Sequence, residues 1–456
     1  MPSVRELGGA AGDGTAAAGW PARTEWRDGV GWLLLVGAGL ALTALAVALH
    51  ARIGTASAPF TGRYRVKITP GTLLAPAVAV AVLAGVRARL HERLGWRWLM
   101  LTGYLAALAW ALALAVVDGG SGLAAPVTDP QEYLRDLPAV AGHPARFLAG
   151  FVAASGHYTV ATRQHPPAPV LLLAGIRQVG IVRPAAIGLA ITLVGCLTVP
   201  LVAVATRSLC GAGAARRLVP VLVLAPYAVW VAVSMDAVTT AVCAAALTCG
   251  VLASEARRSP WWAAACGLLL GVGALFSYAV AWLGVTVIVC YFVRRRPLLN
   301  IFTGLAALVP LALARGAGFV WPDGLTAAQA DFSLRVEPHR SWLVWSLLDI
   351  LLLLLACGPT AIAAVRKTRR TPGWPFLVGA GLAVGFALAS GLSRGEVERS
   401  WLPFFPWLLV PAVAPERRPP AGRDGNGENS APTPLLLVGI GALSAVVTEA
   451  VLRTTW

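Results

Sequence analysis

Four groups of polar residues stand out in an otherwise apolar chain. The first is Thr128-Asp129-Pro130-Gln131-Glu132-Tyr133-Leu134-Arg135-Asp136. Its acids are spaced by three and four, so a helix would present Asp129, Glu132 and Asp136 on one face. A carboxylate held at a membrane surface can take a proton as a general base. The competing reading is a helix start, with Thr128 or Asp129 as cap and Glu132 as the capping-box partner. The second group is Arg163-Gln164-His165-Pro166-Pro167-Ala168-Pro169, which leads directly into the apolar Val170–Ala174. Its prolines fix a rigid, extended entry into a helix. That holds His165 at the membrane surface, or simply starts a helix beside a solvated histidine. The third is Ser234-Met235-Asp236, an acid at the mouth of an apolar run. An ionisable group there marks a functional site or an N-cap. The fourth packs Arg394, Glu396, Glu398 and Arg399 between apolar runs. Arginine forks suit phosphate, so this is either an anion clamp or a self-neutralised solvated turn. Trp401, Phe404, Phe405 and Trp407 follow as an interfacial aromatic belt.

The elements that must position these groups are membrane helices. Of 456 residues, 57% are hydrophobic and 13% charged, against roughly 25% charged in soluble proteins. Mean hydropathy is +0.71. So few charges cannot cover a water-soluble surface, which excludes soluble-enzyme, collagen-like and disordered classes. The net charge of +16 comes from 37 basic and 21 acidic residues, and Lys67 and Lys367 are the only lysines. The arginines are scattered between apolar runs, as the positive-inside rule requires; a nucleic-acid-binding stripe is absent. The arginine and alanine bias suggests a GC-rich bacterial genome and hence a bacterial plasma membrane. The seven cysteines contain no C-x-x-C pair, which disfavours a zinc site or disulfide framework. They read as small hydrophobes.

Residues 1–30 read as a flexible cytoplasmic tail. Apolar runs follow at Trp32–Leu49, Leu73–Val86, Trp98–Val117, Pro184–Thr206, Leu218–Val233 and Ala237–Ser254. Trp261–Val293 is too long for one span and splits at Ser277-Tyr278. Leu299–Ala314, Trp342–Val365, Phe376–Ser390, Trp401–Val413 and Leu435–Val451 complete the series. The expectation is an all-α polytopic protein of about thirteen or fourteen transmembrane helices. Residues 31–414 form the multi-span domain, 415–433 a flexible linker, and 434–456 the final transmembrane helix. Short arginine-rich loops at 87–97, 207–217, 257–258, 294–296, 366–370 and 417–418 belong in the cytoplasm. That sends 118–164, 315–341 and 393–400 to the outer face. Two features resist the scheme: Arg52–Lys67 is basic yet falls outside, and the short Pro169–Val182 stretch spoils the parity unless it is re-entrant or interfacial.

The order of these features over about residues 98–255 resembles the GT-C superfamily of membrane glycosyltransferases, in the branch of protein O-mannosyltransferases and lipid A aminoarabinose transferases. Asp129-Pro130-Gln131-Glu132 is similar to that branch's D-P-D-E element, and His165-Pro166-Pro167 to its H-P-P or K-P-P. Leu209 to Arg217 resembles the R-x-L-F-G-x-x-x-A loop, and Met235-Asp236 the later T-D-M or L-D element. The family's aspartate directly precedes the glutamate. Gln131 stands there, so Asp129 or Glu132 must take the role. The resemblance implies a polyprenyl-phosphate sugar donor, mannose-like, and transfer on the extracytoplasmic face to a glycan, lipid or protein acceptor. Asp129 or Glu132 would be the base, with His165 and Arg163 or Arg394 at the phosphate. A divalent metal is left open by the sequence, which neither requires nor excludes one. The alternatives are a multi-pass transporter or lipid flippase, which leaves the acidic outer loop beside His-Pro-Pro unexplained, and a membrane scaffold.

Overall fold

The computed structural model describes residues 23–415 and 432–453, apart from Ala141, Arg257, Arg369 and Arg370. Most of the expected tail and linker, Arg417-Arg418 included, lies outside the described residues. The first helix, Arg23–Ala48, begins within the segment assigned to the tail. The protein is all-α and polytopic, with one short antiparallel pairing of Arg63–Tyr64 with Leu452–Arg453 among the described residues.

Among the described residues, six helices are long and apolar enough, by length and composition, to cross a membrane. A seventh candidate is Trp342–Cys357 with Thr360–Lys367, bent by 103°. Five shorter apolar helices accompany them. The helix Met235–Ala253 is central, packing against Pro184–Gly195, Thr198–Cys210, Trp261–Ala274 and Ala281–Val293. Trp261–Ala274 and Leu299–Gly316 approach closely because Gly267 and Gly271 lack side chains. A Cβ at either would collide with the carbonyl of Thr303 or Ala307. Small residues four apart are the usual means of bringing membrane helices together.

The long run 261–293 breaks where the sequence places its hairpin. Helix Trp261–Ala274 ends, the Ser277 hydroxyl accepts the Ala279 N–H, and a new helix follows. Two expected spans are shorter than anticipated. Leu218–Val233 is interrupted because Pro226 holds Ala225 extended, so helix Ala212–Val223 gives way to a separate 3-10 turn. Within Trp401–Val413, only Phe405–Val413 is helical.

The basic loops gather at one end of the molecule. Arg216 donates to the carbonyls of His91, Glu92 and Leu94, and Arg296 to those of Ala253 and Glu255. Arg217 and Lys367 reach the carbonyls of Val413 and Ala412. The opposite end joins 118–164, 315–341 and 393–400. Arg52–Lys67 is there too, its Arg52 carbonyl accepting the Ser341 N–H. Lys67 is buried between Asp118 at 3.1 Å and Glu449 at 2.6 Å, so this basic residue is neutralised where it lies. The short helix Ala168–Gln178 packs on Tyr133–Asp136 and Leu137–Val140 at that same end. It does not cross to the basic end, which removes the parity problem.

Candidate active site

A cavity of about 500 Å³ opens at the end opposite the basic loops. Glu132, His165, Arg340, Arg394, Glu396 and Arg399 are among its lining residues. Trp282, from helix Ala281–Val293, and Ala383, Phe386 and Ala387, from helix Trp374–Ser390, line it too. The rings of Trp282 and Phe386 stand 5.0 Å apart, and Phe386 is exposed on the helix surface. The cavity lining therefore combines charged groups with apolar helix residues.

The three acids of the first group do not share a helical face. Glu132 is extended, with φ −93° and ψ 165°, and only Tyr133–Asp136 forms a 3-10 turn. The carboxylates consequently take three directions. Asp129 turns back on its own segment, its Oδ1 accepting the Gln131 N–H at 2.8 Å, and it does not line the cavity. Asp136 accepts the Thr159 N–H at 2.9 Å and the Thr159 hydroxyl at 2.7 Å, tying two parts of the loop. Glu132 alone faces the cavity.

Arg399 is the hub. Its Nη1 donates to Glu132 Oε1 at 2.5 Å and its Nε to Asp236 Oδ2 at 2.9 Å. Burial works against its charge, but Glu132 and Asp236 outweigh that and hold the guanidinium above its ordinary pKa. Asp236 is free to do this because Ser234 takes the capping role, accepting the Asp236 N–H. Asp236 Oδ1 lies 3.9 Å from His165 Nε2, an ion-pair distance only when the ring is charged. The Nδ1 of His165 is 2.9 Å from the Ala161 carbonyl, so that nitrogen carries a proton. Glu132, Arg399 and Asp236 thus form one ion-paired group beside the cavity, with His165 3.9 Å from Asp236.

Other expected site residues take supporting positions. Arg163 points away from the cavity, its Nε on Asp331 at 3.0 Å and its Nη1 on the Tyr158 carbonyl. Arg394 borders the cavity, but its guanidinium staples the neighbouring loop. It donates to the carbonyls of Gly391 and Arg340 and to Glu337 Oε1 at 3.0 Å. Glu396 borders the cavity with a left-handed backbone, φ 63°. Glu398 is sealed inside, fully buried. Segment 393–400 is therefore not a solvated turn.

Sequence reasoning missed Arg340, Asp331, Glu337 and Asp349. Arg340 lies 5.0 Å over the Trp345 ring and donates to the Arg394 carbonyl. The available signal was Arg335 and Arg340 in a segment assigned outside, against the positive-inside rule. Asp349, in a run read only as a span, accepts the Gly395 N–H at 3.0 Å. Among the described residues, no group of three His, Cys, Asp or Glu side chains is placed to hold a metal ion.

Fold and site define a class: a multi-span helical membrane protein with a charged and apolar cavity at the end away from its basic loops. Residues 164–316 match the family described as dolichyl-phosphate-mannose-protein mannosyltransferase. That match overlaps the motif region, and the chain resembles the GT-C membrane glycosyltransferases. No curated protein sequence matches it. Among solved structures, ArnT from Cupriavidus metallidurans in the apo state has 19% identity and TM-score 0.40, covering 59% of this chain and 54% of that one. ArnT from the same organism bound to undecaprenyl phosphate has 17% identity and TM-score 0.43, covering 68% of this chain and 59% of that one. The chain spans under two thirds of either ArnT chain.

Proposed function

We propose that this protein is a glycosyltransferase of the bacterial plasma membrane. It takes a sugar, mannose-like, from a polyprenyl-phosphate donor and passes it to an acceptor on the extracytoplasmic face, where residues 118–164 lie. The observation that carries this reading is the cavity lined by both charged and apolar groups. A donor with a long lipid tail must be met inside the bilayer. Trp282 and Phe386 offer the tail apolar contact, while the charged residues meet the phosphate and sugar. The family match over 164–316 supports the same donor class.

Glu132 is the group positioned to act as base. An acceptor hydroxyl attacks the anomeric carbon as its proton passes to Glu132. The bond from that carbon to the phosphate oxygen breaks, and the electron pair leaves with the polyprenyl phosphate, inverting the centre. Developing charge on the phosphate requires cations aimed in advance. His165, which lines the cavity, is placed to meet the phosphate, and the Arg340 cation borders the same cavity. Arg399 orients Glu132, and Asp236 orients Arg399.

The test separates the two acids left open by the sequence. Glu132→Gln should lower transfer by roughly 10²–10⁴-fold while Asp129→Asn, off the cavity, should stay within about tenfold of the natural protein. Both variants should insert normally. Full transfer by the Glu132 variant would dismiss this base. No transfer by the natural protein from any polyprenyl-phosphate sugar would favour a flippase or transporter.

A further inference from the structure

The segment that carries Arg399 rests on an unusual anchor. Glu398, next in the chain, is 0% exposed, and its carboxyl oxygens have no hydrogen-bond partner beyond its own backbone N–H. Asp349, also 0% exposed, lies close enough to act on its charge. One Asp349 oxygen accepts the Gly395 N–H and the other has no partner. Two buried carboxyl groups so poorly partnered cannot both be ionised, because an unpaired charge in a dry interior is prohibitively costly.

The charged surroundings relieve this only in part. On its own short helix Glu398 has Glu396, which adds like charge, and Arg399, whose charge opposes the effect but whose guanidinium is committed to Glu132 and Asp236. Helix Trp342–Cys357 presents Asp349, with Arg340 bearing on Asp349 in turn. The turn Pro226–Trp230, packed on the same short helix, brings only Tyr227, whose hydroxyl donates to the Leu222 carbonyl.

We propose that Glu398 works as a neutral, protonated positioning residue: it seats segment 393–400 against Asp349 so that Arg399 reaches Glu132 and Asp236, and its ionisation unseats that segment. Burial pushes the Glu398 carboxyl up to about 8, the Glu396 and Asp349 charges adding to the effect. The sign follows. The folded protein holds this proton where the unfolded chain has lost it, so the stability it contributes declines as pH rises from the ordinary carboxylate range through about 8. The seat also holds backbone strain, since Glu396 is a non-glycine residue at φ 63° beside Gly395 at 96°.

The consequence for transfer rests on the glycosyltransferase reading; the seating itself does not. The isosteric Glu398→Gln variant keeps the shape of the neutral carboxyl and cannot ionise. Two measurements ignore what the protein transfers. In detergent, Glu398→Gln should raise Tm relative to the natural protein more at pH 9 than at pH 6. A Ser400→Cys probe borders the cavity, and six of the seven native cysteines are buried. At pH 9 it should react faster with an impermeant maleimide when Glu398 is present than when glutamine replaces it. The third measurement is transfer from polyprenyl-phosphate mannose. Its rate should fall about tenfold between pH 7 and pH 9 in the natural protein and far less in Glu398→Gln. Equal Tm differences at both pH values, or equal labelling at pH 9, would overturn the seating. An unchanged alkaline fall in the variant would overturn the link to Arg399. Seating without any transfer would leave this inference standing and remove the glycosyltransferase reading.

Discussion

Replacing Arg399 by lysine keeps the charge and tests the geometry. Arg399 reaches Glu132 through Nη1 and Asp236 through Nε, two different nitrogens of one planar fork. A lysine ammonium is a single point of charge and serves only one of these carboxylates well. The lost charge-assisted hydrogen bond is worth about 1.5–3 kcal/mol. If Glu132 must be oriented when the acceptor proton moves, that loss appears as a fall in kcat/KM of roughly 10- to 150-fold. Arg399→Ala goes further and leaves the buried Asp236 and the partly buried Glu132 without their cation, at a cost of about 3–5 kcal/mol in stability. The assay is transfer from a polyprenyl-phosphate sugar in proteoliposomes, with Tm followed on the same samples. Arg394→Lys is the informative partner. Arg394 is bound to loop carbonyls and Glu337, so its lysine variant should lower Tm more than it alters the donor KM. Natural kinetics in Arg399→Lys would refute the hub.

Other outcomes follow from the same structure. Ser121, exposed at the start of the 118–164 segment, should react as Ser121→Cys with an impermeant thiol reagent in intact cells; labelling only after permeabilisation would reverse the proposed orientation. Lys67→Met should strip Glu449 and Asp118 of their shared cation, lowering stability by about 3–5 kcal/mol. Adding Glu449→Gln should recover part of that loss, as read by Tm in detergent, and no recovery would show that the ion group is not what anchors Lys67.

Composition and hydropathy alone determined that this is a helical membrane protein, because an apolar run is a local property summed over roughly 20 residues. The same locality made the break at Ser277 legible. Glu132, His165 and Asp236 were all named from their order in the chain. What the sequence left open was direction. Asp129 and Glu132 are three residues apart, yet only tertiary packing decided that Glu132 faces the cavity, because the backbone is extended there and helical periodicity does not apply. Arg163 and Arg394 looked like substrate cations. Their partners, Asp331 and Glu337, lie in another segment whose approach no local pattern announces. Arg399 meets Glu132 across a separation of 267 residues, and Glu398 beside it is turned inward onto Asp349's helix. Adjacent residues on one short turn thus serve opposite purposes. A side chain's partner depends on how distant segments pack, and no periodicity along the chain encodes that.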